Sequence, residues 1–422
     1  MSAPGHRILV TSHGHPDFNL GGGELAAYNL FRTYADHPQV ETAFFLGRHD
    51  RGRGPTGAIY PRRANEYLWE QTISDWFRMR AANTDSLHRN FAELIRRLRP
   101  TVVHAHHYVH LGLEYLHIIK RVDPSIRIVM TLHEYVAICF NQGQMIKTGS
   151  HRPCFRESPD DCHRCFPDRS VEDFWLRKHR YRSFFRLVDQ FVAPSDFLRQ
   201  RYIDWGIPPE RIVSIENGQA SRDALPPRPL ADGETRNRFA FFGQINPYKG
   251  VDVLLTALSM LRKSERRQIV LEVHGTNLEG QTEAFQSRIA ALREPLEREG
   301  TLQWIGPYEP FQMPSRMGAV DWVIIPSIWW ENSPMVIQEA FTLGRPVVAS
   351  DIGGMAEKVA HGVNGMHVPV GNAKAWGQTL LQLSRTTEEW DRLRAGISKP
   401  ISHAECAAAH LEVIGQLEKV VA

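Results

Sequence analysis

The 422-residue sequence predicts an α/β protein of two doubly wound, largely parallel-sheet domains facing each other across a cleft. Three observations lead there. Short runs rich in Val, Ile, Leu and Phe alternate with longer helical patterns through both halves, as expected for strands buried on both faces of a parallel sheet. Segment 219–238, QASRDALPPRPLADGETRNR, interrupts that rhythm with prolines and charges and has no apolar period, so it reads as a linker. The length suits two domains of ordinary size and is short for three.

Strands are expected over 7–13, 40–47, 101–107, 127–134, 191–195 and 211–218 in the first domain, residues 1–218. A second set is expected over 239–244, 269–275, 302–306, 321–327, 345–351 and 365–370, within a domain at 239–386. Between them lie amphipathic stretches such as VDVLLTALSMLRK (251–263), apolar at Val251, Leu254, Leu255, Leu258 and Leu261. Strand–helix alternation of this kind implies right-handed crossovers. Residues 387–422 read as a helical tail able to pack back across the junction.

Composition narrows the function classes. At 42% apolar and 23% charged residues the chain is globular, and no apolar stretch reaches the roughly 18–20 residues of a membrane span. A formal charge of +3 gives no electrostatic reason to expect nucleic acid as a partner. MSAPGHRILVTSHGH passes straight into a strand-like run, so a cleavable leader is not expected and the placement is cytoplasmic, with the inner membrane face as the variant.

In doubly wound sheets ligands gather at the carboxyl ends of the strands, where the strand order reverses. Three strand-end stretches carry candidate chemistry. SHGHPDFNLGGGE (12–24) puts Gly22 and Gly23 before a helix, where backbone can approach an anion; a glycine-rich turn with no ligand is the plain alternative. FFGQINPYKG (241–250) ends a strand at Gly243 and Gln244 and places Lys249 before a helix, suited to a phosphate or simply solvated. PSIWWENSP (326–334) follows a strand and sets Glu331 and Asn332 ahead of Ser333 and Pro334, an expected cap and first turn for a helix over 335–343. The N–H groups of Ser333, Met335 and Val336 would then face a phosphate, with Glu331 before them and Glu339 after. An N-terminal helix carboxylate favoured by the dipole, plus a surface one, is the bland alternative.

Taken together these stretches resemble a family. ENSP-x5-EA-x3-G-x-PVVAS is similar to the E-x7-E signature of retaining glycosyltransferases of the GT-B fold, the sucrose-synthase-like family 4, also called group 1. The phosphate loop FFGQINPYKG, the GGGE loop, VVHAHH (102–107), LHEY (132–135), VAPSDFL (192–198) and ENG (216–218) follow the family's order over roughly 7–385. The resemblance implies two Rossmann-like domains and retaining transfer of a sugar from a nucleotide-diphosphate sugar to a carbohydrate or lipid-linked acceptor, without a catalytic metal. It implies that Lys249 and the 333–336 backbone hold the diphosphate, with Gly243 and Gln244 in the same loop. Glu331 would position the donor sugar, Glu339 the ribose, and His133 would sit beside the reacting centre; Gly22 and Gly23 would shape the wall near phosphates and acceptor. His106 is a weaker candidate. One departure stands out: Gln244 occupies the position where the family usually has an arginine, and Arg345 is a candidate to compensate. A nucleotide-sugar epimerase of similar architecture and a non-catalytic sugar-nucleotide binding protein are the alternatives, and polysaccharide or glycoconjugate assembly is the expected setting.

Two features lie outside that pattern. Cys139, Cys154, Cys162 and Cys165 fall in one insertion near 139–165, where CHRC has metal-ligand spacing; structural zinc, free thiols and an oxidised pair all fit. DFWLRKHRYRSFFR (173–186) mixes aromatic and basic residues, fitting either peripheral contact with an anionic membrane or an ordinary half-buried helix.

Overall fold

The Val- and Ile-rich runs of the first half assemble into one eight-stranded sheet. Its strands run in the order Ile212–Ser214, Gln190–Ala193, Arg127–Thr131, Val102–Ala105, His6–Ser12, Val40–His49, Glu66–Glu70 and Ile59–Arg63. This is seen in a computed structural model that describes residues 5–419 apart from 20, 50, 51, 53 and 151. All neighbours are parallel except Ile59–Arg63, which pairs antiparallel at the edge. The sequence reading expects six strands here and misses the last two. Their run, IYPRRANEYLWE, carries a proline and several charges that argue against a buried strand. Pro61 is tolerated because an edge strand leaves one side unpaired, and Asn65, with φ of 60°, makes the tight return.

The second half forms a wholly parallel six-stranded sheet: Leu302–Trp304, Val270–Thr276, Arg238–Gln244, Trp322–Ile325, Val347–Ser350, Gly365–Val368. Parallel neighbours need crossovers, and helices supply them. Helix Val251–Met260 turns Val251, Leu254, Leu255 and Leu258 inward, where they join Phe239, Phe241, Trp322, Trp376 and Leu380 in one core. The fold is thus the α/β arrangement of two parallel sheets that the apolar rhythm predicts.

The chain divides into two compact units, Met1–Gly218 with Ile401–Ala422, and Gln219–Pro400. Helix Glu388–Ala395 lies in the second unit, whereas helix His403–Lys419 belongs to the first. There Cys406, Ala407, Leu411 and Ile414 pack among Ala27, Leu30, Phe31 and Tyr34. Segment 219–238 is held to the second unit by charge. Asp321, fully buried, receives Arg228 at 3.0 Å and Arg236 at 3.1 Å, so the linker's arginines neutralise a carboxylate inside the fold.

Both sheets have one point where the strand order reverses. In the first it lies between His6–Ser12 and Val102–Ala105, and in the second between Arg238–Gln244 and Trp322–Ile325. The loops leaving these strands carry most of the candidate residues.

Candidate functional site

In the second unit, Gly243, next to last in strand Arg238–Gln244, has φ of 147°, and the Asn246 side chain caps the short turn Pro247–Lys249 by accepting from Tyr248 and Lys249 N–H. Gly250 follows, with φ of 72°; a methyl group there would stand 2.1 Å from the Pro326 carbonyl oxygen, so only glycine permits the two loops to touch. Ile328 N–H donates to the Tyr248 carbonyl at 2.9 Å, fastening them further. The result brings Lys249 Nζ to 2.6 Å from Glu331 Oε1. Ser327 Oγ at 2.8 Å and Trp329 Nε1 at 3.1 Å donate to the same carboxylate oxygen. Glu331 is 6% exposed, so this cluster of donors holds a charge that water does not.

The backbone after Glu331 is pinned by Gly354, whose N–H donates to the Glu331 carbonyl at 2.8 Å. A methyl group on Gly354 would lie 1.9 Å from the Asn332 carbonyl oxygen. Helix Met335–Thr342 then begins, with Pro334 rather than Ser333 at its cap. Proline takes that place because its own φ of −61° suits the helix entry, and the Ser333 hydroxyl is buried with no partner among the described residues. Met335 and Val336 occupy the first turn, whose N–H groups have no acceptor within a helix. Glu339 stands on this helix, and burial pushes its carboxyl up to about 7; the phenol of Tyr308 is near enough to feel its charge. Glu331 is thus buried and Glu339 half-buried.

Arg345 does not reach this site. It is fully buried and its guanidinium donates to the carbonyls of Met317, Leu225, Leu343, Gly344, Pro226 and Gly318 at 2.8–3.4 Å. With every donor on backbone it fastens segment 219–238 to the unit and cannot replace a phosphate-binding arginine. Gln244 is exposed at its strand end.

In the first unit, Gly22 and Gly23 open helix Gly22–Ala35. A methyl group on Gly23 would fall 2.6 Å from His107 Nε2, so the glycine makes room for an imidazole rather than only for backbone. His133 Nε2 lies 3.0 Å from His106 Nδ1, and its ring stacks 4.8 Å from that of His107. Burial pushes the pKa of His133 down to about 3, with His13 adding to the effect and Glu24 opposing it, so the ring is neutral. Glu24 is almost fully buried with His13 Nε2 3.0 Å away. Burial opposes its ionisation, but the His13 contact outweighs that and holds the carboxyl below its usual range.

Sequence reasoning misses Ser327, Trp329, Glu24, His13 and the close-contact glycines Gly250 and Gly354. Trp329 reads as an apolar residue, and only the indole N–H orientation reveals a donor. The GGGE quartet carries Glu24 in plain view, as an ordinary first-turn acid.

The four clustered cysteines are free thiols. Burial raises Cys139 to about 11 and Cys162 to about 12, and Cys154 Sγ lies 3.4 Å from the Arg156 carbonyl. Among the described residues no group of three or more His, Cys, Asp or Glu is placed to hold a metal ion. In helix Val171–Phe185, Phe174, Tyr181 and Phe185 are buried, while Trp175 and Leu176 are each 51% exposed. Arg177 is turned inward onto the carbonyls of Phe77, Ala137 and Val136, which removes one charge from the solvent face. Among the described residues no helix is long and apolar enough to cross a membrane.

Both units of the chain are similar to known proteins. Residues 20–219 match the family model described as Glycosyltransferase Family 4, and residues 227–398 match the one described as Glycosyl transferases group 1. The chain belongs to the group 1 glycosyltransferases, of GT-B fold. Among relatives of this group 1 protein, a D-inositol 3-phosphate glycosyltransferase of Jonesia denitrificans is 33% identical over 183 residues, 42% of this chain and 41% of the relative. A lipopolysaccharide 1,2-N-acetylglucosaminetransferase of Salmonella typhimurium is 27% identical over 188 residues, 42% of this chain and 48% of the relative. The chain thus spans less than half the length of either relative in alignment. Among solved structures, sucrose-phosphate synthase from Thermosynechococcus elongatus superposes with a TM-score of 0.69 at 15% identity, over 98% of this chain and 99% of the other. Anabaena HepE in complex with UDP and glucose gives 0.63 at 18% identity, over 97% and 100%. These two likenesses concern the fold.

Proposed function

We propose that this protein transfers a sugar, with retention at its anomeric carbon, from a nucleotide-diphosphate sugar to an acceptor hydroxyl in polysaccharide or glycoconjugate assembly. The observation that carries the reading is the Lys249–Glu331 pair at the strand-order reversal of the second sheet, next to the first turn of helix Met335–Thr342. A diphosphate needs a cation and convergent N–H groups, and a sugar needs a hydrogen-bond acceptor beside them. Lys249 can move to a phosphate without stranding Glu331, because Ser327 and Trp329 still donate to that carboxylate. That HepE was crystallised with UDP and glucose supports a nucleotide sugar as donor.

In this reading the glycosidic C–O bond to the diphosphate breaks and a C–O bond to the acceptor forms on the same face. The acceptor's proton passes to the departing phosphate oxygen. Lys249 and the amides of Met335 and Val336 stabilise the charge gathering on the diphosphate, which needs no metal in this scheme. Glu331 orients the sugar. His133, kept neutral by burial, is proposed to assist as a hydrogen-bonding group that brings no competing cation. An epimerase is not favoured by the family match. A lipid-linked acceptor would bring the chain to a membrane surface, where Trp175 and Leu176 would be the contact residues.

The test is incubation with a panel of nucleotide sugars, reading acceptor-dependent nucleotide release and anomeric configuration, with Glu331→Ala and Lys249→Ala alongside. Donor binding without turnover would leave a binding module, and interconversion of free nucleotide sugars an epimerase. Structural zinc on the cysteine loop is a separate proposal that rests on the CHRC spacing alone and requires the four thiols to gather closer than they stand here. It predicts one equivalent of metal in the purified protein, lost when Cys162→Ser and Cys165→Ser are combined.

Glu339, proposed to hold the ribose, links function to stability. A carboxyl raised to about 7 is neutral in both states below about pH 4.5, so its cost to folding grows as pH rises from there and levels off above about 7. Glu339→Gln is expected to stabilise the protein by up to about 3 kcal/mol near pH 8, to be neutral near pH 4, and to weaken donor binding. Urea titrations at the two pH values and donor calorimetry check this.

A further inference from the structure

The first unit holds a file of histidines that the transfer chemistry leaves unused. His104, His106 and His410 are 0%, 2% and 3% exposed. The His104 ring lies 4.5 Å from that of His106 and 5.0 Å from that of His410. His104 has both nitrogens engaged, Nδ1 with the Tyr34 hydroxyl at 3.2 Å and Nε2 with Thr131 Oγ1 at 2.8 Å. The outer two do not. His106 Nδ1 meets His133 Nε2 at 3.0 Å, and His410 Nδ1 meets the Cys406 carbonyl at 2.8 Å, yet Nε2 of each is buried without a partner among the described residues. Both rings line one small cavity together with Thr131, Asn217 and His403. It offers about 10 Å³ to the centre of a water, room for about one molecule.

The partner fixes the bond direction at His410. A carbonyl can only accept, so His410 Nδ1 carries a hydrogen. Burial pushes the pKa of His410 down to about 4, leaving the ring neutral and its Nε2 a bare acceptor in need of a donor. Burial lowers His106 as well, so it too has one donor and one acceptor nitrogen. A water donating to His410 Nε2 can accept from His106 Nε2–H, which leaves His106 Nδ1 to accept from His133 Nε2–H. All the bonds then run in one sense and strengthen one another.

We propose that His106, one buried water and His410 form a hydrogen-bonded chain that holds His133 in its Nε2–H tautomer, making His410, on the C-terminal helix, a positioning residue. His133 Nδ1 is then the acceptor nitrogen. The catalytic consequence rests on the sugar-transfer reading; the tautomer does not.

The test uses full-length protein labelled with ¹⁵N-histidine and read by heteronuclear NMR. His133 is expected as Nε2–H and His410 as Nδ1–H. His410→Leu removes the terminal acceptor and is expected to shift His133 toward Nδ1–H, lowering kcat about tenfold with the donor KM little changed. His410→Gln, whose amide oxygen can accept, is expected to restore both the tautomer and kcat to within about threefold. An unchanged His133 tautomer in His410→Leu, a Gln variant as impaired as Leu, or a wild-type His133 in the Nδ1–H form overturns the chain. Tautomers that behave as expected in a protein transferring no sugar would overturn the transfer reading alone. Should His410→Leu fail to fold, the wild-type spectrum decides.

Discussion

Acidifying the protein from about pH 7.5 to about pH 5.5 is expected to unfold the first unit. Five imidazoles there are held neutral by burial: His104, His106 and His107 far below the ordinary value, His133 at about 3 and His410 at about 4. In the unfolded chain each titrates near 6.5. Below that value the unfolded state binds protons that the folded state refuses, so stability falls with pH; above it the contribution is fully present. One unit below, His133 and His410 together remove about 3 kcal/mol, and His104, His106 and His107 act in the same direction, against the 5–15 kcal/mol that holds a domain. Hydrogen exchange at the two pH values, followed over residues 5–218 and 401–419, makes the measurement. Protection there that is equal at both would show that the imidazoles are solvated.

Replacing Lys249 with alanine is expected to lower kcat/KM for sugar transfer by about 10²–10³, the usual range for removing one preorganised donor from developing negative charge, or about 2.7–4 kcal/mol. Glu331→Ala should fall in the same range. The double variant should lose far less than the product of the two, because the residues share one hydrogen bond at 2.6 Å. Folding should be little affected by Lys249→Ala, since the side chain is 29% exposed and Ser327 and Trp329 remain on the carboxylate. Rates within twofold of wild type for Lys249→Ala, with a normal melting curve, would remove this lysine from the chemistry.

Much of the frame was legible beforehand. The apolar runs mark every strand of the second sheet. The edge pair Ile59–Arg63 and Glu66–Glu70 was not, because an edge strand need not be apolar and its pairing depends on a neighbour distant in sequence. Arg345 was misread for a related reason: a cation near a helix end looks available until its acceptors, spread over 225–226, 317–318 and 343–344, are seen together.

Local pattern, then, determined which segments become strands and helices, since periodic burial is a property of neighbours in the chain. It also determined that Lys249, Glu331 and Glu339 follow strand ends in one unit. The tertiary structure alone decided that Glu331 is ringed by Lys249, Ser327 and Trp329, that Gly250 and Gly354 must be glycines, and that His106 lies between His133 and a cavity shared with His410. Those facts depend on loops from different strands meeting, and hydrogen-bond direction and close approach are fixed only once they have met.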